Sequence, residues 1–202
     1  RRTFSLTEAI GGYKLVFANP RAYVCFGTVL AEGLALWGTT PFIADLMTRS
    51  GTGATREAGF VIGAIGLGGI VYTLALPWLL ARLGRAGMMS SGGLLAVAGF
   101  LALAFDADWR IVVAGFAITG LGYMMLHNSI QTEAVELAPA ARSSAYSMHA
   151  FFFFTGQSLG PIILAQLLEW YGPRPGLLLN AAIFVATGFV AARLLGASRP
   201  HK

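Results

Sequence analysis

Six long apolar stretches constrain the fold of this chain more than any other feature of its sequence. A helix needs roughly 20 mostly apolar residues to cross about 30 Å of hydrocarbon at about 1.5 Å per residue. Only 11% of the residues are charged, against about 25% in a typical soluble domain. The sequence therefore predicts an all-α membrane protein of six transmembrane helices, which lie at 22–44, 58–81, 87–105, 110–128, 144–168 and 176–195.

The charged residues lie mainly in the short connectors, and their distribution predicts the orientation of the chain. Cytoplasmic loops of membrane proteins carry an excess of Lys and Arg. If the N-terminus is cytoplasmic, four basic residues lie outside, namely Arg49, Arg56, Arg110 and Arg174. Ten lie inside, namely Arg1, Arg2, Lys14, Arg21, Arg82, Arg85, Arg142, Arg193, Arg199 and Lys202. We therefore expect both termini in the cytoplasm. We interpret the net charge of +5 as a determinant of membrane orientation rather than a sign of nucleic-acid binding.

The first twenty residues differ from the rest of the chain. Apolar side chains recur there at helical spacing, at Leu6, Ala9, Ile10, Tyr13 and Phe17. This pattern predicts a short amphipathic helix on the membrane surface, although Gly11-Gly12 is equally consistent with a flexible arm. We divide the chain into a cytoplasmic linker (1–20), a transmembrane bundle (21–196) and a cytoplasmic tail (197–202).

Glycines within the predicted spans indicate that the helices pack against one another. Gly59 and Gly63 form a G-x-x-x-G pair in the second span, and Gly156 and Gly160 form another in the fifth. Small residues at this spacing let helix backbones approach closely inside a membrane, where no hydrophobic force drives helices together. The sequence therefore predicts one packed bundle.

The segment 156–160 also matches the G-x-S-x-G nucleophile elbow of hydrolases, with Ser158 as the nucleophile. That motif requires a strand-turn-helix context, and Ser158 instead falls inside a predicted membrane helix. The sequence shows no cluster with zinc-ligand spacing and no phosphate-binding Gly-Lys-Ser/Thr loop. We therefore expect no enzyme activity, and an intramembrane hydrolase is the disfavoured alternative.

Two ionisable residues inside the spans are the main candidates for function. Glu32 lies near the middle of the first span, with no basic residue one helical turn away. A carboxylate there must face a cavity, find a partner or take up a proton. His149, in the fifth span, could relay protons or hold a substrate. For both residues the alternative is a hydrogen bond to a neighbouring helix that serves packing alone.

Further residues extend this candidate substrate and proton-coupling site. Phe153 and Gln157 follow the fifth-span histidine at helical spacing and share its side of the helix. Trp37, near the outer end of the first span, caps a cavity or anchors the helix at the membrane interface. His127 and Asn128 end the predicted fourth span, and this position near the cytoplasmic boundary favours a loop or gate role over substrate binding.

Two segments resemble the major facilitator superfamily of transporters. The first is PWLLARLGRA, between the second and third spans, which is similar to the loop motif G-x-x-x-D-R-x-G-R of that family. Arg82, Gly84 and Arg85 match it, whereas Pro77 and Ala81 stand where the family has its glycine and aspartate. The family's aspartate belongs to a charged latch between helices, and this chain lacks it at that position.

The second segment is TEAVELAPAARSSAYSMHAFFFFTGQSLGPIIL, which resembles the region of the tenth and eleventh helices of these transporters. In the family an acid precedes an arginine at the cytoplasmic end; here Glu133 or Glu136 precedes Arg142. The resemblance implies an exposed ion pair that acts as part of a gate. The segment Asn19-Pro20-Arg21 is similar to the linker before the seventh helix, so the chain looks like the C-terminal six-helix half.

The resemblance implies a 3+3 inverted-repeat bundle that works by alternating access, with Glu32 and His149 facing a shared midplane cavity. It implies proton-coupled export of a small molecule, driven by a proton gradient without a cofactor, in a bacterial inner membrane. The expected partners are the lipid bilayer, the substrate, and an N-terminal six-helix half or a second copy of the chain. The alternative is a non-transporting membrane scaffold or truncated half that pairs with another membrane protein.

Overall fold

The structure, a computed structural model, describes residues 6–196, with side chains from Ile10 onward. The predicted tail 197–202 and four of the predicted inner basic residues lie outside this range. Within it every regular element is helical, and two 3₁₀ turns at Thr40–Phe42 and Pro139–Ala141 join longer helices. The helices are α1 Leu6–Phe17, α2 Arg21–Thr39, α3 Ile43–Ser50, α4 Thr55–Leu95, α5 Ala98–Ala104, α6 Trp109–Glu136, α7 Arg142–Tyr171 and α8 Pro173–Leu194.

The N-terminal segment forms helix α1 rather than an irregular arm, and it packs beside the start of α7. A Cβ on Gly12 would lie 2.3 Å from the Ser144 hydroxyl oxygen, and Val16 is fully buried. Ile10, which belongs to the predicted apolar stripe, is exposed. Phe17, which also belongs to the stripe, packs edge-on against Phe26 with ring centroids 5.5 Å apart, so the stripe contacts the protein only in part.

Helices α2 and α7 approach closely through the predicted glycine pair. A Cβ on Gly156 would lie 2.1 Å from the Leu30 carbonyl oxygen, and one on Gly160 would lie 2.4 Å from that of Leu34. Real Cβ atoms do not come this close to a carbonyl, so only glycine permits the contact. The predicted role of Gly156 and Gly160 in helix packing is confirmed.

The other glycine pair does not pack against another helix of the described chain. At Gly59 and Gly63, nothing lies within 4 Å of the position that a Cβ would occupy, and both residues line an apolar groove of about 430 Å³. The close contact between α4 and α6 lies further along, where a Cβ on Gly120 would be 2.2 Å from the Ile65 carbonyl oxygen. The predicted packing role of Gly59 and Gly63 is therefore wrong for contacts within this part of the chain.

Helix α4 contains a sharp break at Gly84, whose backbone has φ 62° and ψ 179°. This region of conformational space is essentially restricted to glycine. The segments before and after Gly84 run along α6 in opposite directions. The contacts that define these directions are Phe60 with Trp109 and Gly69 with Met124 before the break, and Gly92 with Gly122 and Gly99 with Phe116 after it.

By length and hydropathy, five helical stretches of the described chain are able to cross a membrane: Arg21–Ser50, Thr55–Ala104, Trp109–Glu136, Pro139–Tyr171 and Pro173–Leu194. The second of them has 50 residues, more than twice the roughly 20 that one crossing needs, and it contains the Gly84 break. Large apolar side chains are exposed along the outside of the bundle, including Leu74 and Trp170. An all-helical bundle of membrane-spanning type is confirmed.

Candidate functional site

Glu32 lies in the interior of the bundle and is fully buried. Its Oε1 atom forms a hydrogen-bonded ion pair with Nδ1 of His127 on α6. The next residue on α2 is Gly33, and a Cβ there would lie 2.6 Å from the Phe153 carbonyl oxygen of α7. Because Gly33 has no side chain, α7 closes directly over the turn of α2 that carries the carboxylate. Of the three possibilities open to Glu32, the structure shows that it has a partner.

His127 does not lie at the end of its helix, so the expectation that it belongs to a loop is wrong, whereas a role in a gate stays untested. Helix α6 continues to Glu136, more than two turns beyond His127 at about 3.6 residues per turn. Hydropathy placed the boundary too early because Asn128 and its polar neighbours face a cavity instead of marking the membrane surface. One signal was present: Tyr123 and His127 are one turn apart and share a face of α6.

Aromatic rings surround the Glu32–His127 pair. The His127 ring centroid lies 5.1 Å from that of His149 and 5.0 Å from that of Phe153, both on α7. Tyr123, one turn earlier on α6, also packs against His127, with ring centroids 5.2 Å apart. The structure thus brings Glu32, His149 and Phe153 into one cluster, as the sequence predicted, and adds His127 and Tyr123, which it did not.

The two remaining predicted site residues lie at the edge of this cluster. Trp37 packs edge-on against Tyr123, with ring centroids 6.4 Å apart. Gln157 lies one turn beyond Phe153 on α7, and a Cβ on Gly33 would be 3.3 Å from its backbone nitrogen. Both residues therefore border the cluster without touching the Glu32–His127 pair in the described contacts, and their part in binding stays a prediction.

Two polar atoms of the cluster have no hydrogen-bond partner within the described chain. They are Oε2 of Glu32 and Nε2 of His149, and both are buried. Leaving a buried polar atom unpaired costs about 1–3 kcal/mol, and ionisable groups retained inside a membrane protein usually serve function. Whether the cluster serves function or packing alone stays a prediction.

A second charged group lies where the ends of four helical segments meet. Glu133, which is buried, accepts hydrogen bonds from Arg21 at 3.0 Å and from Arg85 at 2.8 Å. Arg85 also bonds both carboxylate oxygens of Glu136, at 2.9 and 3.1 Å. These bonds, with Glu136 first and Glu133 next, raise the pKa of Arg85 above its ordinary value. Arg21 donates in addition to the Leu195 carbonyl, so the group ties together α2, α4, α6 and the end of α8.

This arrangement corrects the expected partner of the acids. The resemblance implied an exposed pair with Arg142, but Arg142 begins α7 after a 3₁₀ turn and is exposed. The ion pairs of Glu133 are made with Arg21 and Arg85 instead, because that face of α6 points towards α4 and α2. Arg21 could not be recognised as a partner from the sequence, because 112 positions separate it from Glu133.

The three motif residues between the predicted second and third spans have different environments. Gly84 forms the break in α4, and Arg85 joins the ion-pair group. Arg82 is exposed, and its guanidinium carbon lies 6.0 Å from the centre of the Trp78 ring, one turn earlier. Their predicted role, together with Glu133, Glu136 and Arg142, in a gate stays a prediction.

A cavity of about 470 Å³ lies between both segments of α4 and the C-terminal half of α6. Tyr72 of α4 and Asn128 of α6 both line it. Its lining comprises Tyr72, Thr73, Leu76, Leu80, Arg85, Met88, Met124, Asn128, Ser129, Gln131 and Thr132. Met124 and Asn128 line this cavity, and His127 lies between them in the sequence of α6. The cavity and the buried cluster therefore lie against the same stretch of α6.

Ser158 does not lie in the strand-turn-helix setting that the nucleophile motif requires. It lies within the continuous helix α7, and its hydroxyl donates to the Phe154 carbonyl at 2.8 Å. The glycines on either side of it in the motif pack against α2. The described residues contain no group of three or more His, Cys, Asp or Glu side chains able to hold a metal ion.

Long apolar helices packed around a buried Glu–His pair define an integral membrane protein whose candidate site lies within the bundle. The family model of the Major Facilitator Superfamily matches residues 8–202, and the chain belongs to this family. It is similar to the uncharacterized transporter y4wD of Sinorhizobium fredii, with 26% identity over 170 residues. That match covers 81% of this chain but only 43% of the relative. The chain thus spans less than half the length of this relative, and its family is one of transporters rather than of enzymes.

Proposed function

We propose that this chain is the C-terminal half of a secondary active transporter that works by alternating access and couples export of a small molecule to proton entry. The observation that carries this proposal is the Glu32–His127 pair, which places a carboxylate and an imidazole in contact inside the bundle. Ionisable groups in such positions commonly mark substrate or proton pathways in membrane proteins.

The bundle has six membrane crossings in this proposal, because the break at Gly84 divides the 50-residue stretch into two antiparallel spans. The close glycine contacts support a 3+3 inverted repeat. They join spans 1 and 5 through Gly156, spans 2 and 4 through Gly120, and spans 3 and 6 through Gly93. Exchanging the first three spans with the last three maps these three contacts onto one another, as two repeats of three helices require. The close contact of spans 3 and 4 through Gly92 and Gly122 corresponds to the pairing of spans 6 and 1, where Asn180 donates to the Ala35 carbonyl at 3.2 Å.

The proposed orientation places both ends of the chain in the cytoplasm of a bacterial cell, with the bundle in the inner membrane. Residues 1–20 then form a linker before the bundle 21–196. The support is the excess of Lys and Arg on one side. Arg21 and Arg85, which the orientation assigns to the same side, meet at Glu133. Arg174, assigned to the opposite side, bonds the Ala104 carbonyl at 3.0 Å near the other connectors.

Proton coupling needs a group that changes its protonation state during the cycle, and Glu32 is that group in this proposal. Its contact with His127 allows one proton to be shared without leaving a net charge on the pair. The proton gradient is then the energy source, and no cofactor is required. Export rather than import rests on analogy with efflux members of the family.

The exposed faces of α4 and α7 suggest where a second half packs. Phe151, Phe154 and Ile162 are more than half exposed on α7, as is Leu74 on α4. Transporters of this fold pair two six-helix bundles around a midplane cavity. We propose that an N-terminal half, or a second copy of this chain, covers these faces, and that lipid covers the rest.

The test does not require the substrate to be known in advance. Inverted membrane vesicles containing the full protein are acidified inside, and a panel of small molecules is added while a fluorescent dye reports the pH gradient. We expect at least one compound to release protons with the wild type and none to do so with Glu32→Gln at equal membrane content. Proton release that is unchanged in Glu32→Gln would refute the role of Glu32. If no compound releases protons with the wild type either, the non-transporting scaffold is the correct interpretation.

A further inference from the structure

We propose that His127 is the proton relay of this site: it takes up a proton at the exposed part of its side chain and passes it from Nδ1 to Oε1 of Glu32. This inference rests on the proposed function, in which Glu32 holds the coupling proton. It assigns a distinct role to a residue that hydropathy had placed at the end of a helix.

The first argument is the difference in exposure within the cluster. The Glu32 side chain is 0% exposed, whereas 14% of the His127 side chain is exposed. His149 is also sealed, at 1%. Of the three ionisable side chains, only His127 therefore reaches both the surface of the chain and the buried carboxylate.

The second argument is the chemistry of the contact. Imidazole carries a nitrogen on each side of its ring, and it can accept a proton at one nitrogen while it releases a proton from the other. Nδ1 of His127 is already in contact with Oε1 of Glu32. A proton that arrives at Nε2 forms an imidazolium, and the proton on Nδ1 then passes to Oε1. The products are a neutral imidazole and a neutral carboxylic acid, so protons and charge balance.

The third argument is the set of groups around the His127 ring. Glu32 approaches from α2, His149 from α7, and Tyr123 from α6 itself. Helix α5 contains no titratable residue.

Helix α4 brings two titratable groups to other residues of α6. Tyr72 lines the cavity together with Asn128, and Arg85 meets Glu133. Glu133 is six residues beyond His127, about 9 Å along the helix axis. Among the described contacts of the His127 ring, Glu32 is therefore the acceptor for its proton.

The experiment follows protonation of Glu32 directly in the full protein, with protons as the only probe. After a rapid drop in pH, time-resolved infrared absorption records the carbonyl band of the protonated carboxyl group, which is assigned by its loss in Glu32→Gln. We expect His127→Gln, which retains a hydrogen-bonding side chain of similar size, to slow the appearance of this band by about 10²-fold. A factor of this size is a typical contribution of a positioned acid–base group. Thr155→Ala is the control, because the Thr155 hydroxyl only bonds the Phe151 carbonyl within α7.

A second variant separates relay from structure. In His127→Ala, added imidazole should occupy the space left by the ring and restore fast protonation, which a purely structural role does not predict. Equal protonation rates in wild type and His127→Gln would overturn the relay and leave Glu32 as the coupling group. Failure of imidazole to restore the rate in a folded His127→Ala protein would also overturn it. If no Glu32-dependent band appears at any pH, the proposed coupling by Glu32 fails, and the relay fails with it.

Discussion

The Glu32 carboxylate on α2 and the His127 ring on α6 are hydrogen-bonded to each other although 95 positions of sequence separate them. The contact forms because α2, α6 and α7 meet around one buried point, with Gly33 allowing α7 to approach. In this pair Oε1 of Glu32 and Nδ1 of His127 each have the other as hydrogen-bond partner. The contribution of this pair to the free energy of unfolding can therefore be measured.

We expect Glu32→Leu to destabilise the bundle by about 1–3 kcal/mol, because Nδ1 of His127 then loses its buried partner. The double variant Glu32→Leu/His127→Leu should recover most of this loss, since an apolar pair leaves no polar atom unsatisfied. Thermal unfolding in mild detergent, analysed as a double-mutant cycle, measures the coupling. Additive effects of the two substitutions would show that the pair contributes nothing as a pair.

We expect Gly120→Ala to destabilise the bundle by about 1–3 kcal/mol, the usual range for overpacking a closely packed site. Its new methyl group would lie 2.2 Å from the Ile65 carbonyl oxygen, which belongs to backbone and cannot rotate away. Gly63→Ala is the matched control on α4, because nothing lies within 4 Å of a Cβ there. Unfolding of the isolated chain should distinguish the two variants.

The same control variant also tests whether the proposed second half packs at this surface. If Gly63→Ala is neutral in the isolated chain but impairs assembly of the full protein, the Gly59–Gly63 pair packs against the proposed second half. Equal effects of Gly120→Ala and Gly63→Ala in the isolated chain would contradict the observed helix contacts.

We expect Glu133→Gln to destabilise the bundle by about 1–3 kcal/mol, because it removes the charged acceptor shared by two arginines. The Glu133 side chain is only 4% exposed, but its partners Arg21 and Arg85 are 24% and 48% exposed. Solvent therefore screens part of the interaction, and we do not expect the larger loss of a fully buried pair. The measurement is the unfolding midpoint in detergent at low and high salt.

The control for this prediction is Asp45→Asn, which breaks the exposed pair between Asp45 and Arg49 at 2.8 Å on α3. Exposed pairs four residues apart on a helix contribute only about 0.3–0.5 kcal/mol. A loss in Glu133→Gln no larger than in Asp45→Asn would show that the four-helix contact does not hold the bundle together.

The start of α4 predicts a dependence of stability on pH. The Glu57 carboxylate accepts a hydrogen bond from the Ala54 backbone nitrogen at 3.0 Å. This bond lowers the pKa of Glu57. A carboxyl group with a lowered folded-state pKa contributes stability above its unfolded value of about 4.3, and this contribution is lost as pH falls through the folded-state pKa. The wild type should therefore unfold at a higher temperature than Glu57→Gln near neutral pH, and the difference should disappear in acid. A difference that persists in strong acid would contradict this account.

Much of the fold could be predicted from the sequence because hydropathy and helical periodicity are local properties. Each apolar stretch predicted a helix, and the break between the second and third spans falls at Gly84, inside the connector 82–86. Glu32 was also identified as a carboxylate inside the bundle that must face a cavity, find a partner or take up a proton, because the free-energy cost of a carboxylate inside a membrane does not depend on which helix lies beside it. The close packing at Gly156 and Gly160 followed from spacing alone.

The partners could not be predicted in the same way. Whether Gly59–Gly63 or Gly68–Gly120 forms the contact depends on how two helices cross. Whether Glu133 meets Arg142 or Arg21 depends on which face of α6 points towards α2. These choices involve residues far apart in the sequence, and each is made by the packing of the whole bundle.

The sequence by itself determined that the chain is a membrane-spanning helical bundle and that it holds an ionisable residue in its interior, since both follow from the free energy of placing side chains in hydrocarbon. Only the tertiary structure decided that His127 is the partner of Glu32, because that contact depends on the rotation of α2 and α6 about their axes. Helix rotation is set by the shape of the packed surfaces, in particular where glycines let backbones touch.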